Sequence, residues 1–170
     1  KFTSALRDIP TVGLFSDYER TNTLFGKENK LLAGIRLHTD ITHEVSVAGD
    51  EMGKKAGKTT ANSANTVAVV EGYVFDEFHI TDKLNINPGL RYTFVNYDKE
   101  DYYKNSWDNR NEDAFVYSLG LFYKFSEQYR AYATYSKGYK MPQIRSAFET
   151  NGDLDAETSD NYEIGLRTRP

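Results

Sequence analysis

The stretch FVYSLGLFYKFSEQYRAYATYS (residues 115–136) contains two runs of alternating residues, separated by the short polar segment SEQ at residues 126–128. One face of the first run carries rings and leucines: Phe115, Tyr117, Leu119, Leu121, Tyr123 and Phe125. The second run sets Tyr129, Ala131, Ala133 and Tyr135 against Arg130, Tyr132, Thr134 and Ser136. Because successive side chains of a strand point to opposite faces, this pattern predicts a β-hairpin with one apolar face.

The same alternation recurs along the chain, at residues 31–41 and 84–94 and, less regularly, at residues 11–24 and 67–80. The stretch LDAETSDNYEIGLR (residues 154–167) begins as an acidic loop and ends in alternation. Its last six residues place Tyr162, Ile164 and Leu166 on one face and Glu163, Gly165 and Arg167 on the other. The sequence therefore predicts an all-β chain of about seven antiparallel strands, several near the ~10 residues that a tilted strand needs to cross a bilayer.

The predicted connections alternate in length. Short turns are expected at residues 25–30, 81–83 and 126–128, and long polar loops at residues 45–65, 98–113 and 139–160. Aromatic residues lie near both kinds of connection: Phe25, Phe78, Phe125 and Tyr129 near the short turns, and Tyr97, Tyr117 and Tyr139 near the long loops. Tight periplasmic turns, long exterior loops and two aromatic belts are typical of an outer-membrane barrel.

Composition excludes some classes of function for this chain. The chain has 170 residues, a formal net charge of -4 and no cysteine. The charge gives no bulk attraction to nucleic acid, and the absence of cysteine excludes a disulfide scaffold and thiolate metal sites. A mean hydropathy of -0.66 fits a soluble protein, but it also fits a membrane barrel, whose strands are apolar only at alternate positions.

Three stretches together resemble the TonB-dependent outer-membrane receptors: VFDEFHITDKLNINPGLRYTF (residues 74–94), YSLGLFYKFSEQYRAYATYSKGYKMP (residues 117–142) and the stretch at residues 154–167. Ala156 stands where the family often has proline. The resemblance implies an antiparallel up-and-down transmembrane β-barrel of about 22 strands. It also implies a location in the bacterial outer membrane, and import of a scarce ligand, most often a ferric siderophore, driven by the TonB energy-coupling complex.

The chain is accordingly interpreted as about seven consecutive strands of that larger barrel, because so few strands cannot close in lipid. Residues 1–170 are expected to be part of a single β-barrel domain. The plug domain of the family and the remaining barrel strands are expected to be absent from this chain.

Candidate ligand-binding residues lie in the predicted loops, where aromatic rings and arginines occur together. Rings offer rigid contact area and cation–π faces, and an arginine fork binds the oxygens of a chelate. The predicted exterior mouth consists of Tyr102, Tyr103, Trp107, Arg110 and Arg145. Its ligand is expected to be a transported ferric chelate rather than a covalently bound cofactor. The alternative is a solvated loop at residues 97–113 whose aromatic side chains pack locally, and the sequence leaves both open.

The polar faces of the strands predict a second group of residues, which face the lumen or a plug. This group consists of Arg36, Asp40, Arg91, Arg130, Glu163 and Arg167. Their charges either pair with each other across strands or contact a plug, and the sequence leaves both open. The opposite, apolar faces are expected to contact outer-membrane lipid. The lysines at residues 53–58 are either solvated or, as the functional alternative, contact lipopolysaccharide phosphates.

Neither a catalytic constellation nor a metal site is predicted. The three histidines, His38, His43 and His79, lack metal-ligand spacing. Two rival interpretations remain: a passive outer-membrane porin, and a soluble β-sandwich binding module, in which the apolar faces would pack against a second sheet.

Overall fold

Eight antiparallel β-strands form one continuous sheet in the computed structural model, which describes residues 2–49, 57–141 and 156–168, with side chains from residue 5 onward. The strands are β1 Phe2–Asp8, β2 Thr11–Leu24, β3 Lys27–Gly49, β4 Thr59–His79, β5 Leu84–Asp101, β6 Ser106–Lys124, β7 Tyr129–Lys140 and β8 Glu157–Thr168. Among the described residues, no helix is long and apolar enough to span a membrane.

The strands follow one another in an up-and-down order. From β3 to β8 each strand pairs with the next one along the chain, whereas β1 and β2 both pair with β3. β1 and β2 occupy successive lengths of the same edge, interrupted at Ile9 and Pro10. The eight strands therefore occupy seven positions in the sheet, which is the number that the alternation predicts.

The strand register separates two faces. The apolar face carries Ile35, Leu37, Leu119 and Leu121, whose exposures are 47%, 38%, 39% and 41%. Leucine and isoleucine at these positions would be buried if a second sheet packed on them, as a β-sandwich requires. The described strands form a single layer instead, which contradicts the sandwich interpretation.

The turn between β2 and β3 is tighter than the sequence indicates. Residues 25–30 were predicted as a turn, but β3 already begins at Lys27. Phe25 and Gly26 form the two-residue connection, with φ angles of 52° and 75°. Positive φ at both central residues matches the right-handed twist of a β-hairpin, and glycine adopts it without steric cost.

The prediction of long loops at residues 45–65 and 98–113 is wrong, because most of these residues belong to strands. β3 extends to Gly49 and β5 extends to Asp101. β5 and β6 remain in register up to the pair Asp101 and Ser106, which leaves a four-residue connection at residues 102–105. The predicted loop at residues 139–160 overlaps β7 and β8 at its ends, and residues 142–155 lie outside the described residues.

The opposite face of the sheet, here called the polar face, also contains a small apolar cluster. Val69, Val95 and Tyr97 are buried there, and Val95 is fully buried. Val67 and Met141 pack against them. Because Met141 immediately follows β7, this contact brings the end of β7 over the polar face of β4 and β5.

Candidate functional site

The predicted aromatic mouth lies at the tip of the β5–β6 hairpin. Tyr102 and Tyr103 belong to the connection at residues 102–105 and are about half exposed. The carboxylate of Asp101 accepts hydrogen bonds from the backbone N–H groups of Tyr103 and Lys104, both at 3.0 Å. This local turn holds the backbone of the connection, while the two rings remain accessible to a ligand.

Tyr102 and Trp107 both lie next to Glu100. The hydroxyl of Tyr102 donates to a carboxylate oxygen of Glu100 at 3.0 Å, and Trp107 is the register partner of Glu100 in β6. The hydrogen bond to this carboxylate raises the pKa of Tyr102 because it favours the protonated hydroxyl. Trp107 is 68% exposed, so its indole is open to contact from outside.

Arg110 does not belong to this tip. It lies within β6 on the polar face, opposite Tyr97 of β5. Its guanidinium contacts one carboxylate oxygen of Glu112 through Nε at 2.6 Å and through a terminal nitrogen at 2.5 Å. The prediction that Arg110 lies in an exterior loop is therefore wrong, because the strand continues past it. Arg145 lies outside the described residues.

Glu71 connects two of the predicted polar-face arginines. Its carboxylate oxygens lie 3.8 Å from a terminal nitrogen of Arg36 and 3.8 Å from one of Arg91. The hydroxyl of Thr93 also donates to it, at 3.4 Å. The Glu71 side chain is only 16% exposed, so its negative charge is held between two cations that offset the cost of its burial.

Asp17 and Tyr73 extend this group across β2, β3 and β4. The Tyr73 hydroxyl donates a hydrogen bond to the Asp17 carboxylate, and the Arg36 guanidinium lies 5.1 Å from the centroid of the Tyr73 ring. Further along β3, Asp40 accepts a hydrogen bond from the Thr11 hydroxyl at 2.6 Å. These contacts join three strands through polar groups on one face.

Tyr132 contacts two charged side chains on the polar face of β7 and β8. Its hydroxyl donates to Glu163 at 2.5 Å, and the Arg167 guanidinium lies 5.3 Å from its ring centroid. Arg130 and Arg167 are register partners. The six predicted polar-face residues share one face of the sheet by register; that this face lines a lumen stays a prediction.

Sequence reasoning missed Glu71, Tyr73 and Tyr132 as members of the polar groups. Glu71 and Tyr73 lie in the run VAVVEGYVF (residues 67–75), where both faces are apolar at first and the alternation is weak. Tyr132 was placed on the polar face, but its two partners depend on the β7–β8 register. No signal within a single strand identifies a cross-strand partner.

The single-layer sheet with one apolar face is the geometry of a membrane barrel wall, and comparison with known proteins agrees. The family model described as TonB dependent receptor-like, beta-barrel, matches residues 3–170. The chain belongs to this family. Members of the TonB-dependent receptor family are outer-membrane β-barrels that function as transport receptors, so this sheet is a segment of a larger barrel in the outer membrane.

A curated relative in this family is the Rhizobactin receptor of Rhizobium meliloti (strain 1021). It is 29% identical over a 147-residue alignment that covers 65% of this chain and 20% of the relative. The chain thus spans about a fifth of the length of the curated relative that it matches.

Solved structures of TonB-dependent receptors share the fold. The ferric citrate transporter FecA in its unliganded form superposes with a TM-score of 0.86 at 17% identity, covering 98% of this chain and 26% of FecA. The ferripyoverdine receptor of Pseudomonas aeruginosa, bound to ferripyoverdine, gives a TM-score of 0.77 at 20% identity, covering 96% and 23% of the two chains. At these identities the likeness shows the fold, with this chain matching about a quarter of each receptor.

Proposed function

We propose that the receptor containing this chain binds a ferric siderophore at the cell exterior and imports it by TonB-dependent transport. The observation that carries this proposal is the family match over residues 3–170. The name of the relative, Rhizobactin receptor, supports a siderophore as the ligand class. Binding and gated passage need no covalent chemistry, and the proposal assigns none to this chain.

The proposal assigns a binding partner to each exposed surface of the sheet. The exposed rings of Tyr102, Tyr103 and Trp107 contact the ferric chelate, and Arg145 of the following connection contributes a cation to the same mouth. The apolar face contacts outer-membrane lipid, and basic residues of the exterior connections contact lipopolysaccharide. Energy reaches the receptor from the TonB complex through parts of the protein outside this chain.

The domain assignment belongs to the same proposal. Residues 1–170 form part of a single β-barrel domain, and the plug and remaining strands come from the rest of the receptor. In that setting the polar face, with Arg36, Asp40, Arg91, Arg130, Glu163 and Arg167, lines the lumen. The network around Glu71 then serves as a rigid wall beside the passage.

Transport assays test the import function. Uptake of radioactive iron as a ferric siderophore is measured in an iron-starved strain whose only siderophore receptor is the full-length protein. The proposal expects uptake that stops when TonB is deleted. Uptake that persists without TonB and does not saturate with chelate concentration would instead favour a passive channel.

Binding assays test the aromatic tip separately. Replacement of Tyr102, Tyr103 and Trp107 by alanine removes three accessible rings, and affinity for the ferric siderophore is expected to fall by about tenfold or more. The hairpin should remain folded, because its strands pair without these side chains. The control is Tyr162→Ala, which removes an exposed ring from the apolar face of β8 and should leave affinity unchanged. Unchanged affinity of the triple variant would remove these rings from the binding site.

A further inference from the structure

The sheet divides between β6 and β7, at the end opposite the short turns. β6 and β7 pair only along residues 118–124 and 130–136, although β6 stays paired with β5 as far as Ser106. Within the described strands, residues 106–117 of β6 therefore have no partner on the β7 side. β7 continues beyond Ser136, so it must leave the plane of the sheet there.

β8 accompanies β7 in this departure. The two strands remain in register as far as Lys140 and Glu157, whose side chains form an ion pair at 3.2 Å. Residues 137–141 and 157–160 thus form a two-stranded projection, here called the flap. Among the described residues, the flap has backbone pairs only between its own two strands, so it can move without breaking the pairing of β3 to β6.

Met141 fixes the present position of the flap. It packs against the buried cluster of Val69, Val95 and Tyr97 on the polar face of β4 and β5. Because β6 lies between these strands and β7 in the sheet, the flap passes over the polar face of β6 to reach the cluster. In this seated position, an apolar side chain at the tip of the flap holds the flap against the wall.

Tyr139 opposes the seated position. Its hydroxyl is buried and has no hydrogen-bond partner within the described part of the chain. A buried hydroxyl without a partner is unfavourable, whereas burial of the apolar Met141 side chain is favourable. These two neighbouring residues therefore act in opposite directions on the same movement, because release of the flap exposes Met141 and lets the Tyr139 hydroxyl reach water.

We propose that the flap is a movable lid over the exterior end of the polar face, and that Met141 is its latch. With Met141 seated, the lid shields Val95 from solutes that enter from outside the cell. When Met141 leaves the cluster, this length of the polar face becomes accessible. The lid does not depend on the class of ligand that the receptor imports, so it is testable without any ligand.

Cysteine labelling of the full-length receptor in intact cells tests the lid. This chain has no cysteine, so Val95→Cys introduces a single thiol beneath Met141, and the parent receptor serves as the blank for a sulfonated maleimide. Addition of Met141→Asp is expected to speed labelling at least tenfold, because a carboxylate is unfavourable in the apolar cluster. Addition of Tyr139→Phe is expected to slow labelling at least fivefold, because it removes the hydroxyl that opposes seating.

Controls separate movement of the lid from loss of structure. Met141→Leu conserves an apolar side chain of similar volume and should leave the labelling rate of Val95→Cys unchanged. Leu119→Cys on the apolar face should stay unlabelled beside Met141→Asp, which shows that the wall is intact. Tyr103→Cys in the exposed connection sets the rate for an open thiol.

Three results would overturn the proposal. One is labelling of Val95→Cys as fast as Tyr103→Cys while Met141 is present, and another is an unchanged rate with Met141→Asp. The third is unchanged or faster labelling with Tyr139→Phe, since a variant that unfolds could speed labelling but only a more firmly seated flap would slow it. Siderophore uptake does not enter any of these outcomes, so they stand apart from the transport proposal.

Discussion

Gly165 shows how a residue without a side chain makes room for a polar contact. A Cβ at this position would lie 2.4 Å from two carbons of the Tyr132 ring. The ring that uses this space donates to Glu163 and lies beneath Arg167. Glycine at position 165 is therefore required by the close approach of the ring across the strand pair, rather than by an unusual backbone conformation.

The variant Gly165→Val is expected to displace the Tyr132 ring and to destabilise the receptor by about 1 kcal/mol, because the contacts to Glu163 and Arg167 are lost. The measurement is the unfolding temperature of the full-length receptor in detergent. Gly72→Val is the control, since a Cβ at Gly72 would meet no atom within 4 Å. An equal loss of stability in both variants would show that the Tyr132 contact is not the cause.

At the scale of the elements, the main difference between sequence and structure is the length of the strands. β3 has 23 residues and β6 has 19, about twice the ~10 that cross a bilayer. Alternation predicted the membrane part of these strands because lipid touches one face there. Beyond the membrane both faces contact water, so the apolar signal disappears although the backbone pairing continues.

The candidate site shows a related limit of the sequence, because alternation assigns a residue to a face but does not identify its partners on other strands. Alternation alone placed Arg36, Arg130 and Arg167 on the polar side of their strands. It did not predict that Glu71 joins Arg36 to Arg91, because such contacts depend on the register between strands. Arg110 was assigned to a loop because the sequence around it is polar on both faces. A strand that extends beyond the membrane shows the same polar pattern as a loop.

The β5–β6 hairpin provides a prediction at this scale. Backbone amides of residues 96–100 and 107–111 are expected to exchange with deuterium slowly in the full-length receptor, because these residues belong to paired strands. Residues 102–105 are the internal control and should exchange quickly. Hydrogen-exchange mass spectrometry with overlapping peptides makes the comparison. Rapid exchange throughout residues 96–111 would contradict the extended hairpin and restore the loop.

At the scale of the whole molecule, the sheet has the form of an incomplete wall. Among the described strands, β8 pairs only with β7, and the edge formed by β1 and β2 pairs only with β3. An unpaired edge in the hydrocarbon region leaves backbone N–H and C=O groups unsatisfied at a cost of several kcal/mol each. In the receptor, both edges must therefore pair with further strands of the barrel.

Because the sheet is a single layer, its two faces are expected to contact different environments, and this is tested by placing an arginine on each face in turn. Leu119 lies on the apolar face between Tyr117 and Tyr123, near the middle of the apolar part of β6. Leu119→Arg is expected to destabilise the receptor by about 2–4 kcal/mol, the cost of arginine on the lipid face at mid-membrane depth. Thr134→Arg introduces the same side chain at a neighbouring depth on the polar face, opposite Glu163, and should cost far less.

The fraction of receptor that stays folded in lipid vesicles, followed during denaturant titration, separates the two variants. Equal destabilisation would mean that both faces contact hydrocarbon, or that neither does. The strong asymmetry is expected because the two residues share one sheet but face different solvents.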